Sequence, residues 1–365
     1  MYFKQIDSFR FFAVLLVLFS HWLSGFPLVE KLRLGAIGVE IFFVISGFLI
    51  SLQLFQYKNL IDTKQTSSGK AIFVFYVRRF LRIFPLYYFI LILATWINSG
   101  EIRTAAAWNF GYASNFYFIK VQHWTSTFSH FWSLSVEEHF YLVWPLVIIF
   151  LNRTYLPLLF VAFCALSMYF RYTNLIHNPN FFVVYAHTLS CVDLFVLGGM
   201  LAFLYEYKRD LFHHVFRNKH IRLLVLFAYA GLYAIWYLRP DLTSFNWAFQ
   251  RFFQGIVFAS VIGFLVIGLK GRLGSMLSHK IPVHLGKLSY GIYLTHNFVP
   301  GILLPIRQLD LPVFIEFSIY LTATIMGSEI LYRFIETPIR NLNRYFKLNA
   351  EEKHPKVTAM GSAPS

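Results

Sequence analysis

Acidic side chains are scarce in this chain, and cysteines are scarcer. Its 365 residues include 17 Asp and Glu against 32 Lys and Arg, with only two cysteines. Cys164 and Cys191 lie apart in apolar surroundings, which excludes a disulfide framework or a cysteine metal site and leaves them as core filler. Charged residues of both signs make up only 13% of the chain, so no stretch reads as a separate soluble domain. No basic leader ending in a small-residue cleavage site precedes the first apolar segment, which is expected to be retained as a span. No internal repeat is detectable either, and with it goes support for the inverted duplication common in transporters.

What the chain has is apolar length. It is 57% hydrophobic and 20% aromatic, with 43 Phe. Apolar runs recur along nearly its whole length, as a bilayer requires and a soluble core does not tolerate. The expected fold is an all-α polytopic membrane protein of about ten transmembrane helices. They fall near residues 9–25, 35–56, 80–98, 131–151, 155–171, 187–206, 222–238, 249–268, 285–304 and 312–334. An even count puts both termini on one side. With that side cytoplasmic, only Lys31, Arg33, Arg103, Lys120, Arg171, Arg239, Arg251 and Arg307 lie towards the other, leaving 24 of the 32 basic residues inside. This bias is the positive-inside pattern, and it accounts for the +15 formal charge without a nucleic-acid partner.

The long aromatic loop at 99–130, with WNFGYASNFYF at 108–118, is either a re-entrant segment or an aromatic belt. The membrane domain is expected to run from 1 to 345, with 346–365 as a disordered cytoplasmic tail.

Ionisable groups inside spans are costly and mark function by default. Arg10 and His21 share the first span; eleven helical residues separate them by about 16 Å and return them to nearly one face. Arg10 therefore lies at one membrane surface and His21 deep, either doing chemistry or packing as a satisfied core histidine. Glu40 enters span two, Asp193 lies in the outer half of span six, and His296 and Asn297 lie midway through span nine. In span four, His130, Ser133, Glu137 and Tyr141 share a face at three-to-four-residue spacing. A carboxylate at similar depth would fix the tautomer of an imidazole and free its other nitrogen as a base. Tyr293 and His296 either line that cavity or hold helices together. Arg78, Arg79 and Arg82 open span three on the Arg10 side, and either grip phosphate oxygens or anchor to anionic lipid. Glu329, Arg333 and Glu336 are spaced for ion pairing along a helix.

Together these residues resemble the membrane acyltransferase-3 family, over residues 6 to about 345. The resemblance rests on the Arg10-to-His21 spacing, FFVISGFL at 42–49, RRFLRIFP at 78–85, FWSLSVEEHFYLVWP at 131–145, LSYGIYLTH at 288–296 and FIETPIR at 334–340. The family implies transfer of an acetyl group from cytoplasmic acetyl-coenzyme A to a hydroxyl of a cell-envelope carbohydrate such as surface polysaccharide or lipopolysaccharide. It implies the bacterial cytoplasmic (inner) membrane, a glycan or glycolipid acceptor, contact with membrane lipid and no metal. Its essential Arg and His fall on Arg10 and His21, its arginine motif on Arg79 and Arg82 beside Arg78, and its glutamate on Glu137. The Asp of its DxxxxG pattern falls on Asp193, with Gly198 following. Many members carry an Arg shortly before that Asp, where this chain has Ser190–Cys191–Val192. Some members also carry a fused esterase-like domain; none is expected here, so the acceptor is modified directly or through a separate periplasmic partner. The implied reaction has the donor held by Arg10, Arg78, Arg79 and Arg82. His21, oriented by Glu137 or Asp193, then acts either as general base or as acyl carrier. A transporter or flippase of a glycan precursor, using the same charges for passage, is the rival expectation.

Overall fold

The structure, a computed structural model, describes residues 2–97, 100–177, 179–238 and 243–348. The tail expected to be disordered lies almost wholly outside the described residues, as does Arg239. Among the described residues, every regular element is helical. Ten long helices form the bundle: α1 (Lys4–Trp22), α2 (Leu34–Asp62), α3 (Ser68–Ile97), α4 (Phe131–Phe150), α5 (Leu156–His177), α6 (Thr188–Tyr207), α7 (Lys219–Leu238), α8 (Thr243–Ile267), α9 (Lys280–Thr295) and α10 (Val313–Leu331).

Seven of them, α2 to α6, α8 and α10, lie in stretches long and apolar enough to cross a membrane. The chain is a polytopic integral membrane protein. The remaining three coincide with expected spans but differ in character. Helix α1 carries Lys4, Asp7, Arg10 and His21 within 19 residues, and α9 is only 16 residues long. Helix α7 opens on Lys219, His220 and Arg222.

Helix α1 is gripped by α2 and α9. Gly286 makes the second contact possible, since a Cβ there would stand 1.8 Å from the carbonyl oxygen of Asp7. At its N-terminal end Gln5 exchanges hydrogen bonds with the backbone of Leu269 (3.0 and 2.8 Å), and Ser8 donates to the Leu277 carbonyl (2.6 Å). The register of α1 is thereby fixed. Helices α2 and α6 approach most closely where Gly47 faces Gly198: a Cβ on either would meet backbone, Phe195 O at 2.0 Å or Val44 O at 2.2 Å. Lys58, near the end of α2, donates to the carbonyls of Ile149 and Leu151 (2.8 Å each), satisfying groups at the end of α4 that its own ladder leaves open.

The 100–130 segment folds as short helices against the bundle. The Tyr87 hydroxyl donates to Asn109 O (2.8 Å), that of Tyr88 to Phe110 O (2.9 Å), and Tyr112 stacks on Tyr87 at 4.2 Å. Ser114 bonds Ser135 of α4 at 2.7 Å. Ile102, Ala105, Asn109, Tyr112, Tyr117, Phe118 and Phe128 of this segment are buried against the bundle.

Candidate functional site

A basic vestibule opens at the N-terminal end of α1. It holds about 1340 Å³ of empty space and is walled by Arg10, Arg78, Arg79, Arg82, Lys287 and Arg340, with Tyr2, Gln53, Gln56 and Tyr57 between them. The acidic side chain on this wall is Asp7, whose carboxylate lies 3.9 Å from Arg10. Arg78 is held by Phe346 O (3.0 Å) and the Tyr57 hydroxyl (2.9 Å), and Arg79 donates to Gln53 (3.2 Å). A widened π-helical turn at Tyr332–Glu336 lets α10 continue into Thr337–Asn341, so that Arg340 bonds the Tyr332 hydroxyl (3.0 Å) on the vestibule wall.

A second, deeper pocket of about 870 Å³ shares Arg10, Leu49, Arg79 and Arg82 with the vestibule. It runs between α1, α2, α3, α4 and α9, past Phe42, Phe43, Ser46, Glu137 and Tyr141, to Ser133 and Tyr293. The two cavities thus form one tapering channel, basic at the mouth and aromatic within. At its inner end the hydroxyls of Ser133 and Tyr293 bond at 2.5 Å, and the His130 carbonyl, 3.1 Å from each, accepts from whichever of the two does not donate to the other. Glu137 accepts from Ser46 at 2.7 Å, and Ser46 in turn accepts from Tyr141 at 3.2 Å. A carboxylate among three arginines partly offsets their mutual repulsion and holds the cluster in place.

Beyond Tyr293 stand three imidazoles. His296, fully buried, lies 4.9 Å from His21 and 4.7 Å from His130 between ring centroids. Its Nδ1 contacts Tyr293 O at 2.6 Å, while its Nε2 has no hydrogen-bond partner. His130 is held at both nitrogens, by Leu294 O (3.1 Å) and the Asn297 amide (3.0 Å). His21 is exposed and is absent from the channel wall. The contacts from channel to His21 run through Tyr293 and His296, whose rings lie 5.7 Å apart. Among the described residues, no group of three or more His, Cys, Asp or Glu is placed to hold a metal ion.

The structure therefore gathers Arg10, Arg78, Arg79, Arg82, Ser133, Glu137, Tyr141 and Tyr293 on one channel, and His21, His130 and His296 just past its end. Three sequence expectations are corrected. Glu137 does not orient His21; it sits lower, in the arginine cluster. Asp193 does not reach His21 either. It is fully buried in an ion pair with Arg171 (2.7 Å), which also donates to Ser167, Ser190 O and Ala248 O, tying α5, α6 and α8 together. Glu40 does not line the channel but pairs with Arg251 of α8 (3.3 Å) in a separate pocket. By contrast, Glu329 near the end of α10 does pair with Arg333 in the π-helical turn, and also with His284 at 2.7 Å, whereas the buried Oε1 of Glu336 has no hydrogen-bond partner. Among the residues that sequence reasoning missed are Ser46, Gln53 and Gln56. With Leu49 they recur every three or four residues along α2, and a polar stripe in an apolar span was the available signal.

Residues 3–333 match a family described as an acyltransferase domain. The peptidoglycan O-acetyltransferase OatA of Listeria monocytogenes is 28% identical across 95% of this chain and 57% of its own length. The O-acetyltransferase OatA of Staphylococcus aureus is 30% identical across 93% and 57%. The putative peptidoglycan O-acetyltransferase YrhL of Bacillus subtilis is 29% identical across 93% and 55%. The chain thus spans little more than half the length of these relatives. No solved structure matches.

Proposed function

The chain belongs to this acyltransferase family, and on that premise we propose that it transfers an acetyl group from acetyl-coenzyme A to a hydroxyl of a cell-envelope polysaccharide. The observation that carries the reading is the common arginine wall. Arg10, Arg79 and Arg82 border both the vestibule and the deep pocket, which suits a ligand with a phosphorylated head and a long thin arm. The acyl-acceptor class follows the relatives, whose names specify peptidoglycan for two of the three.

In this reading ten helices cross the bacterial cytoplasmic membrane, with both termini and the vestibule inside. The arginines take the donor's phosphates, and the pantetheine arm lies along Phe42, Phe43 and Tyr141. Release of the Ser133–Tyr293 hydrogen bond opens the inner end and brings the thioester to the imidazoles. His21, exposed towards the acceptor side, takes the proton of the sugar hydroxyl as its oxygen attacks the thioester carbon. The tetrahedral intermediate collapses by breaking the carbon–sulfur bond, and the departing thiolate recovers the proton from His21. His296 replaces Glu137 and Asp193 as the neighbour that positions the base.

The test uses the protein in lipid vesicles with acetyl-labelled coenzyme A and soluble glycan fragments. Label appearing on glycan as an alkali-labile ester supports the reading. Glycan crossing the bilayer with no donor consumed would replace it with transport.

A further inference from the structure

A second polar pocket opens beside the C-terminal end of α1, where Gly35 packs so closely that its Cβ would stand 2.7 Å from the Ser20 hydroxyl. Its empty space of about 360 Å³ is mostly open to solvent, with enclosed room for a single small polar group, and it is lined by Arg33, Glu40, Trp247, Gln250, Arg251 and Gln254. Val39 lines the donor channel, and Glu40, the next residue, lines this pocket. Helix α2 therefore lines two cavities, one reaching up from the arginine end and one between its N-terminal end and α8.

Its lining has the chemistry of a sugar site. Trp247 offers an aromatic face, already carrying the Arg33 guanidinium at 3.8 Å. Arg33 holds that position from a left-handed backbone conformation, φ +52°, at the junction leading into α2. For a residue other than glycine such a conformation is strained and persists where the surroundings enforce it. Arg251 is committed to structure, donating to Tyr185 O (3.2 Å), Ser190 O (3.1 Å) and Glu40 Oε1 (3.3 Å). That anchoring fixes the Glu40 carboxylate and leaves its buried Oε2 with no hydrogen-bond partner. A fixed, unsatisfied buried acceptor beside two glutamine amides and an indole asks for a ligand with several hydroxyl donors and an apolar ring face.

We propose that this pocket is the acceptor subsite, its enclosed part taking a hydroxyl of the carbohydrate that donates to Glu40 Oε2, with the sugar ring at the pocket mouth beside Trp247. The proposal rests on the transferase reading for the identity of its ligand, but its test does not need turnover. The full chain in lipid nanodiscs is titrated calorimetrically with a β-1,4-linked N-acetylglucosamine tetramer and, separately, with coenzyme A. Trp247→Ala and Gln250→Ala should each weaken the tetramer at least about tenfold, and Trp247→Phe should stay within about threefold of wild type. Coenzyme A affinity should be the same in all. Unchanged tetramer affinity in both alanine variants, or no binding to wild type, would overturn the assignment. So would displacement of the tetramer by inorganic phosphate, which would make this an anion site. A chain that bound the tetramer through Trp247 yet transferred no acetyl group would sink the transferase reading and leave this pocket standing.

Discussion

His21 and His296 stand edge to face, their ring centroids 4.9 Å apart, one exposed and the other wholly buried. The pair joins α1 to the C-terminal end of α9, and the same two helices meet closely at Gly286 nearer their other ends. A buried imidazole with a free Nε2 beside an exposed one is suited to relay or steady a proton. Replacing His21 with Ala should lower transfer by about 10²- to 10⁴-fold, the usual worth of a general base, while donor binding by calorimetry persists. His296→Phe should lower kcat more than KM and alter the pH–rate profile. Acetyl-His21 isolated after exposure to donor alone would move the mechanism to a covalent carrier.

The arginines should separate by role. Arg82→Gln and Arg10→Gln should raise KM for acetyl-coenzyme A about tenfold or more, the scale of losing a charge-assisted hydrogen bond worth about 1.5–3 kcal/mol. Arg78 lines only the outer vestibule and is already bonded to Phe346 O and Tyr57. Its replacement by Gln should change KM by no more than about threefold. Initial rates over a donor series would decide; equal effects at all three positions would dissolve the distinction.

Tyr293→Phe removes the hydroxyl that closes the channel against Ser133 and His130 O. Donor hydrolysis without acceptor should rise several-fold, because water then reaches the thioester. Release of free thiol from acetyl-coenzyme A measures it, and an unchanged leak would show that this bond is no barrier.

Asp193 should behave as a structural residue. Asp193→Asn strands the buried Arg171 and should cost about 3–5 kcal/mol, whereas Arg171→Met with Asp193→Leu together should recover most of it. Thermal unfolding in detergent reads the loss. The folded fraction should keep a normal KM for donor, and a KM shift would return Asp193 to the site.

Glycine substitutions should divide by what the new methyl meets. Gly286→Ala drives a methyl into Asp7 O and should destabilise by about 1–3 kcal/mol through overpacking. Gly327→Ala, with nothing within 4 Å, should be neutral or stabilising by up to about 1 kcal/mol. The same unfolding assay compares them.

The bundle and its basic mouth were legible because hydropathy and the clustering of Arg10, Arg79 and Arg82 are local properties. The pairing of inner residues was not. Spacing along α4 placed Glu137 on the face of Ser133 and Tyr141, which was right, but could not tell that it sits beside Ser46 and the arginines. Sequence puts Asp193 and Glu40 at a depth where they could meet the imidazoles, but Arg171 and Arg251, on other helices, take them instead. Those partners depend on how α5 and α8 rotate about their axes, and sequence spacing fixes a face without its neighbour. Arg171 was counted only as an outer-side charge, although it is the counter-ion of the very residue whose role was in question.

Val39 and Glu40 are neighbours on α2 and line different cavities. A rigid rod shared in this way cannot shift for one guest without disturbing the seat of the other. Occupancy on the two flanks should therefore be linked by a common factor, equal in both directions, which sequential titrations in either order would read. Such reciprocity would let the protein withhold its donor from water until the recipient has arrived.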